Sequence, residues 1–250
     1  MKLAFVTDVH ANLPALQAVF SDIQKEGCQR IYCLGDVIGI GPYPRETVEL
    51  LLSVPDVRFI MGNHDQWYAL GLEKRPMWMS VGEYLHTRWA HKQLGSSFKA
   101  IMSRWEYQRH EVQEGIRISL IHYPLRLEKD GLGNPMFKKF IKDPTPEVLD
   151  DLFKEVLDHH HPDILLYGHH HPFSDMQGKA RYLNPGSLGC HTEPVANYTL
   201  LDIQNGIYHV THKRIPYDQS DLFAAYELRQ VPSKEFIYRA FFLGQFDRKD

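Results

Sequence analysis

The sequence predicts an α/β fold with parallel strands, and three observations carry that expectation. Short β-prone apolar runs alternate with amphipathic helical stretches over the first 60 or so residues. Five short His-, Asp- and Asn-rich stretches each follow such a run. They are Asp8-Val9-His10, Gly35-Asp36-Val37-Ile38-Gly39, Gly62-Asn63-His64-Asp65, the lone His122, and Gly168-His169-His170-His171. Parallel strands with right-handed crossovers bring their carboxyl ends to one rim, which is where ligands bind in open α/β sheets. Five such stretches in step with strand ends predict one shared site for two metal ions.

The elements follow in order. Residues 2–7 read as a buried strand. A helix comes next over about 13–26, with Asn12 as N-cap, Pro14 in the first turn and Gly27 as C-terminal cap. Leu13, Leu16, Val19, Phe20 and Ile23 share one face of it. Residues 31–34 and 57–61 are strands on either side of a helix at 47–53. The pattern then breaks over about 66–110, a helix-prone stretch holding Trp67, Trp78, Trp89 and Trp105, and it is expected to be a helical insertion over the site. Residues 116–121 form a strand ending at His122.

Gly131, Gly133, Pro135 and Pro144 make 126–144 a loop. One helix is expected over 146–159, capped by Thr145, with Val148, Leu149, Leu152, Phe153, Val156 and Leu157 on its apolar face. Residues 163–167 lead into the His cluster as a buried strand. Short β segments follow near 172–177, 180–184, 197–203 and 207–213, the last two joined by an Asn205-Gly206 turn. A helical extension over about 216–250 completes what is expected to be a single domain over 1–250.

Bulk properties exclude several classes. Hydrophobic residues at 43% and charged residues at 24% are ordinary for a globular protein. A net charge of −3 without a dense Lys/Arg stripe argues against extended nucleic-acid binding. The apolar runs are too short for a membrane span, and the N-terminus reaches Asp8 too early for a signal peptide. Cys28, Cys33 and Cys190 form no CxxC pair and no even framework, so a cytoplasmic setting is expected. The unusual count is 15 His.

Mixed imidazole, carboxylate and amide-oxygen donors suit Mn, Fe or Zn better than Ca or Mg. Asp8, His10, Asp36, Asn63, His122, His169 and His171 supply that inventory. The ordered set DxH, GDxxG, GNHD, H, GHxH resembles the calcineurin-like metallophosphoesterase superfamily. Asp8–Asn12, Gly35–Pro42 and Asn184-Pro185-Gly186-Ser187 are similar to its small bacterial and archaeal phosphodiesterase branch, and the resemblance spans roughly 1–205.

The resemblance implies a four-layer αββα sandwich of two mixed β-sheets flanked by helices. It also implies two divalent or trivalent ions, with Ni or Co as in-vitro substitutes for Mn, Fe or Zn. One ion would be held by Asp8, His10, Asp36 and His171. The other would be held by Asp36, Asn63, His122 and His169, with a hydroxide between the two attacking phosphorus. His64 would act at the leaving oxygen, oriented by Asp65.

The chain has His122-Tyr123-Pro124-Leu125 where relatives often carry His-Gly-Ser-Pro or His-Gly-Thr-Pro. It also lacks the arginine of the protein phosphatase branch, with Ile40-Gly41-Pro42 and Asp65 at those places. A diester needs that clamp less than a monoester dianion does. The function expected is therefore hydrolysis of small nucleotide-like phosphodiesters. The alternatives are an asymmetric dinucleoside polyphosphate (diadenosine tetraphosphate) hydrolase, a phosphomonoesterase or protein phosphatase, and a non-catalytic scaffold.

Tyr123, Arg126 and His191 adjoin the motifs and are candidate substrate contacts. His170 is expected to point away from the ligands on either side of it, and His159-His160-His161 to end a helix. Trp67, Tyr68, Trp78, Tyr84 and Trp89 read first as packing residues, with base stacking as the alternative. The protein is expected to be a monomer or homodimer.

Overall fold

Alternation of apolar residues along short strands builds two sheets that share one core. In the computed structural model, which describes residues 1–72 and 74–245, β1 (Lys2–Val6) turns Leu3 and Phe5 to one side and Ala4 and Val6 to the other. Leu3 and Phe5 join Tyr32 of β2 (Arg30–Cys33) between the sheets. Ala4 and Val6 pack instead under α1 (Leu13–Glu26), against its Leu16 and Val19. Asn12 caps that helix by accepting from the Ala15 amide at 3.2 Å, and Gly27 ends it in the left-handed conformation.

After α2 (Pro44–Ser53) comes β3 (Val57–Phe59), parallel to β2 as β2 is to β1. The segment that follows is helical, with α3 (Asn63–Leu70), α4 (Val81–Leu94) and α5 (Lys99–Met102). The second sheet begins with the antiparallel pair β4 (Gln108–Gln113) and β5 (Ile116–Ile121). Next is a small hairpin, β6 (Leu125–Lys129) and β7 (Pro135–Phe137). The loop expected over 126–144 is corrected to that extent. Asp130 makes the turn by accepting from the Leu132 and Asn134 amides, each at 2.8 Å.

The single helix expected over 146–159 is two helices, α6 (Pro146–Leu152) and α7 (Lys154–His160). They part at Phe153, whose buried ring is wedged between Tyr167 and Tyr182, at centroid distances of 5.3 and 5.8 Å. Both helices cover the outer face of the second sheet through Leu149, Leu152, Val156 and Leu157.

The remaining strands are β8 (Ile164–Leu166), β9 (Ser174–Gln177), β10 (Arg181–Asn184), β11 (Val195–Gln204) and β12 (Ile207–Pro216). The first sheet runs β12-β11-β1-β2-β3 and the second β4-β5-β8-β10-β9, both mixed. Ile118, Leu120, Ile164, Leu166 and Leu183 of the second sheet meet Leu3, Phe5 and Tyr32 of the first in a common core. The result is two mixed sheets face to face with helices outside, as the motifs implied.

Beyond β12 lie α8 (Ser220–Leu228), α9 (Lys234–Ile237) and a π-helical turn, Tyr238–Phe242. They pack on the loop after β2 through Leu222, Tyr226, Val231 and Ile237 against Ile40. No helix among the described residues is long and apolar enough to cross a membrane.

Candidate metal centre

Five of the parallel strands end on the predicted motifs. β1 leads to Asp8 and His10, β2 to Asp36, β3 to Asn63, β5 to His122, and β8 to His169 and His171. The loops are stitched to one another by main-chain bonds. The Asp8 amide donates to the Gly35 carbonyl, that of His10 to Asp36, and that of Gly168 to His122, all within 2.9–3.0 Å. Asp8, His10, Ala11, Asp36, Ile40 and His169 all have positive φ, between 47° and 68°. Non-glycine residues rarely adopt this region, which costs of order 1–3 kcal/mol each and persists only where the surroundings impose it. Here interlocked loops impose it, and four of the six residues are predicted ligands.

The donor atoms converge in two sets. In the first, Nε2 of His10 lies 3.0 Å from Nε2 of His171, and Asp8 Oδ1 lies 3.7 Å from each. In the second, Asn63 Oδ1 lies 2.8 Å from His169 Nδ1 and 3.3 Å from His122 Nε2. One oxygen joins them: Asp36 Oδ2 is 3.9 Å from His10 Nε2 and 3.4 Å from His122 Nε2. Both imidazoles are aimed from behind, with Nδ1 of His10 bonded to the Ile38 carbonyl and Nδ1 of His122 to that of Leu34.

These residues fit a pair of cations. Asp8 Oδ1 is buried with no hydrogen-bond partner, a costly state unless an ion answers it. The facing Nε2 atoms of His10 and His171 bring two lone pairs together. Asn63 likewise turns its oxygen toward ring nitrogens, although its NH₂, if swapped inward, could donate to His169, His122 and Asp36. Oxygen-inward is the orientation a cation selects.

The electrostatics agree. Burial holds His10, His169 (to about 3) and His171 below the usual imidazole range, leaving neutral rings that can donate lone pairs. His122 runs the other way: burial opposes its charge, but Asp36 beside it lifts it to about 9. Burial raises Asp8, and it opposes the ionised form of Asp36, which His122 and His64 nevertheless hold well below the carboxylate range.

His64 stands at the edge of this cluster, 5.2 Å from the His10 ring between centroids, and its main-chain amide donates to Asp36 Oδ1 at 2.9 Å. Asp65 does not orient it. The fully buried Asp65 carboxylate accepts from the amides of Val37 (3.0 Å), Ile38 (3.4 Å) and Gly62 (3.2 Å). A buried carboxylate goes where unpaired amide donors are, and here two of the three lie in the second motif's loop. Asp65 therefore clamps that loop to α3.

The candidate substrate contacts are placed differently. Tyr123 is buried, its hydroxyl accepts from the Ile141 amide, and its ring backs His169 at 4.9 Å. Arg126 extends from β6 toward Glu128, 3.6 Å away. His191 accepts from the Glu193 amide within its own loop. His170 is outside the donor sets and stacks with Phe140 at 5.4 Å, and His161 forms the left-handed cap that ends α7.

Sequence reasoning missed two features. Cys190 comes within ligand distance of His10 and His171, its thiol pushed well above the usual range by burial and then by Asp8. Its signal is its place three residues after Ser187, whose Oγ accepts from the Cys190 amide and donates to the Asp8 carbonyl at 2.8 Å. The other is Phe241, whose ring lies 5.6 Å from His171. It comes from the far end of the chain, and no local pattern marks it.

Comparison with known proteins supports the same conclusion. An uncharacterized protein of Methanocaldococcus jannaschii, MJ0912, is 26% identical over 263 residues, covering 97% of this chain and 98% of the relative. The crystal structure of the hypothetical protein PH1004 from Pyrococcus horikoshii OT3 superposes with a TM-score of 0.79 at 19% identity, covering 98% and 99% of the two chains. A metallophosphoesterase from Sphaerobacter thermophilus gives 0.68 at 22%, covering 96% and 98%. These two share the fold. The calcineurin-like phosphoesterase superfamily domain matches residues 1–206, and this chain belongs to that superfamily.

Proposed function

We propose that the chain is a dinuclear metal-dependent phosphodiesterase acting on small nucleotide-like diesters. Asp8, His10, Asp36 and His171 would hold one ion and Asp36, Asn63, His122 and His169 the other, with Mn, Fe or Zn as the metals this donor set favours. Bound ions supply Lewis acidity toward phosphoryl oxygen and an activated water. His64 is the group assigned to the leaving oxygen, held relative to Asp36 by its own amide. Asp65 keeps the bridging loop in place. The three free cysteines are consistent with a reducing, cytoplasmic setting.

One observation carries the choice of a diester. After burial, the main charged influences on Asp36 are the imidazoles of His122, His64 and His10, and those on Asp8 are His171, His122 and Asp36, with no arginine or lysine among them. A monoester dianion calls for a guanidinium fork, whereas a diester carries one charge fewer on phosphorus. The test is kcat/KM on a panel of phosphate monoesters, diesters and dinucleoside polyphosphates with Mn, Fe, Zn, Ni, Co or Mg. The expected result is highest activity on diesters with Mn, Fe or Zn. Preference for monoesters with every metal would overturn it.

A further inference from the structure

A row of aromatic rings leads out of the donor cluster. α3 carries His64 and, three residues later, Trp67, so helical spacing puts both on one face. Their centroids are 4.7 Å apart, and Trp78 lies 5.6 Å beyond Trp67 at an interplanar angle of 39°. The inner end of the row is the His10–His64 contact. The outer end is bare: Trp78 is 53% exposed, and Met77, Val81 and Leu85, close to it in sequence, are exposed at 99%, 61% and 52%.

The other aromatics of this region are committed elsewhere. Trp105 lies flat on Phe59 at 4.5 Å, Trp89 packs beside His86, and the buried Tyr68 hydroxyl accepts from the Phe98 amide. Trp67 and Trp78 are thus set apart, in contact with each other and with the outer ring open to solvent.

We propose that Trp67 and Trp78 form the leaving-group subsite, and that it takes a nucleobase or similarly flat aromatic ring carried on the departing ester oxygen. The assignment rests on the reading of His64 as the residue facing that oxygen. In-line displacement then sends the body of the leaving group past His64 and along the rings beyond it. Bases stack on exposed indoles irrespective of their identity. A second copy of the chain seated here would cover the mouth that substrate must enter, so continuity with the reactive end selects a small ligand.

Two measurements on the full chain test this. Calorimetric titration with AMP, with and without Mn, should show binding weakened about ten-fold by Trp78→Ala, the scale of one base–aromatic stack, and largely restored in Trp78→Phe. The ratio of kcat/KM for bis(p-nitrophenyl) phosphate to that for glycerophosphocholine should fall by about the same factor in Trp78→Ala, mainly through KM. Ile207→Thr, on an exposed position of β12, is the surface control and should leave both unchanged.

Wild-type AMP binding and an unaltered ratio in Trp78→Ala would overturn the subsite. So would a Trp78→Ala protein that only loses self-association in sedimentation, since the patch would then serve a second copy. If no diester is turned over with any metal while AMP binding still depends on Trp78, the subsite stands and the diester reading falls.

Discussion

Gly62 and Gly27 are both punctuation in the sequence, yet the structure gives alanine opposite consequences at the two positions. Gly62 has an ordinary φ of −91°, so the backbone would accept alanine. A Cβ there would lie 2.2 Å from the Asp36 amide nitrogen and 2.3 Å from Asp36 Oδ1, where ordinary contact starts near 3.4 Å. Since main chain cannot yield as a side-chain tip does, the second and third motif loops must separate by about an ångström.

Overpacking of this kind costs about 1–3 kcal/mol, or roughly 3–10 °C of Tm in a chain of this size. Displacing the shared carboxylate by about an ångström from Asn63 costs on the order of 100-fold in rate. Gly27→Ala has nothing within 4 Å but imposes φ of +66°, so it costs roughly 1 kcal/mol and spares activity. Thermal unfolding, Mn titration and kcat/KM of both variants provide the assay. A Gly62→Ala enzyme with wild-type metal affinity and rate would refute the reasoning, as would a Gly27→Ala enzyme equally damaged.

Three other perturbations are informative. Asp36→Asn removes the oxygen shared by the two sets, so Mn affinity and metal-dependent turnover should fall by more than the roughly 10- to 100-fold typical of changes behind a ligand; titration and steady-state rates check this. Tyr226→Phe deletes the 3.1 Å hydroxyl bond to the carbonyl of Ile40, itself a β-branched residue at φ 58°, and should cost about 1–2 kcal/mol in chemical denaturation. His86 is buried and is held at about 3 by burial and then by His64, with the Pro232 backbone pulling weakly the other way. Its folded value lies below the unfolded 6.5, so the unfolded chain binds the extra proton and stability should fall as pH drops from 6.5 toward 3, by up to about 1.4 kcal/mol per pH unit for this site. His86→Leu should flatten that slope in denaturation series.

Strand ends were legible because apolar alternation and the motif that follows are both local in sequence. The ordered motifs also named residues that lie together, since each ligand is one to five residues past a strand whose place in the sheet fixes where the chain emerges. What escaped was set by distance or by competition. The β6–β7 hairpin is made by Asp130 accepting two amides, which outweighed the Gly and Pro content that reads as loop. The break at Phe153 answers to rings on other elements. Besides the nearby Gly62 amide, the partners of Asp65 are two amides 27 and 28 residues away, buried donors that local sequence does not mark. Cys190 and Phe241 reach the site only through tertiary packing.

The superfamily match stops at residue 206, but the working unit does not. Past that boundary, β12 completes the edge of the first sheet. Tyr226 and Arg229 then hold the carbonyls of Ile40 and Pro42, and Phe241 closes against His171. A chain trimmed to the shared core would keep every predicted ligand yet lose the buttress that shapes the second motif. The segment past the superfamily domain thus bears on the site through the second motif's loop and His171 without contributing one of the predicted ligands.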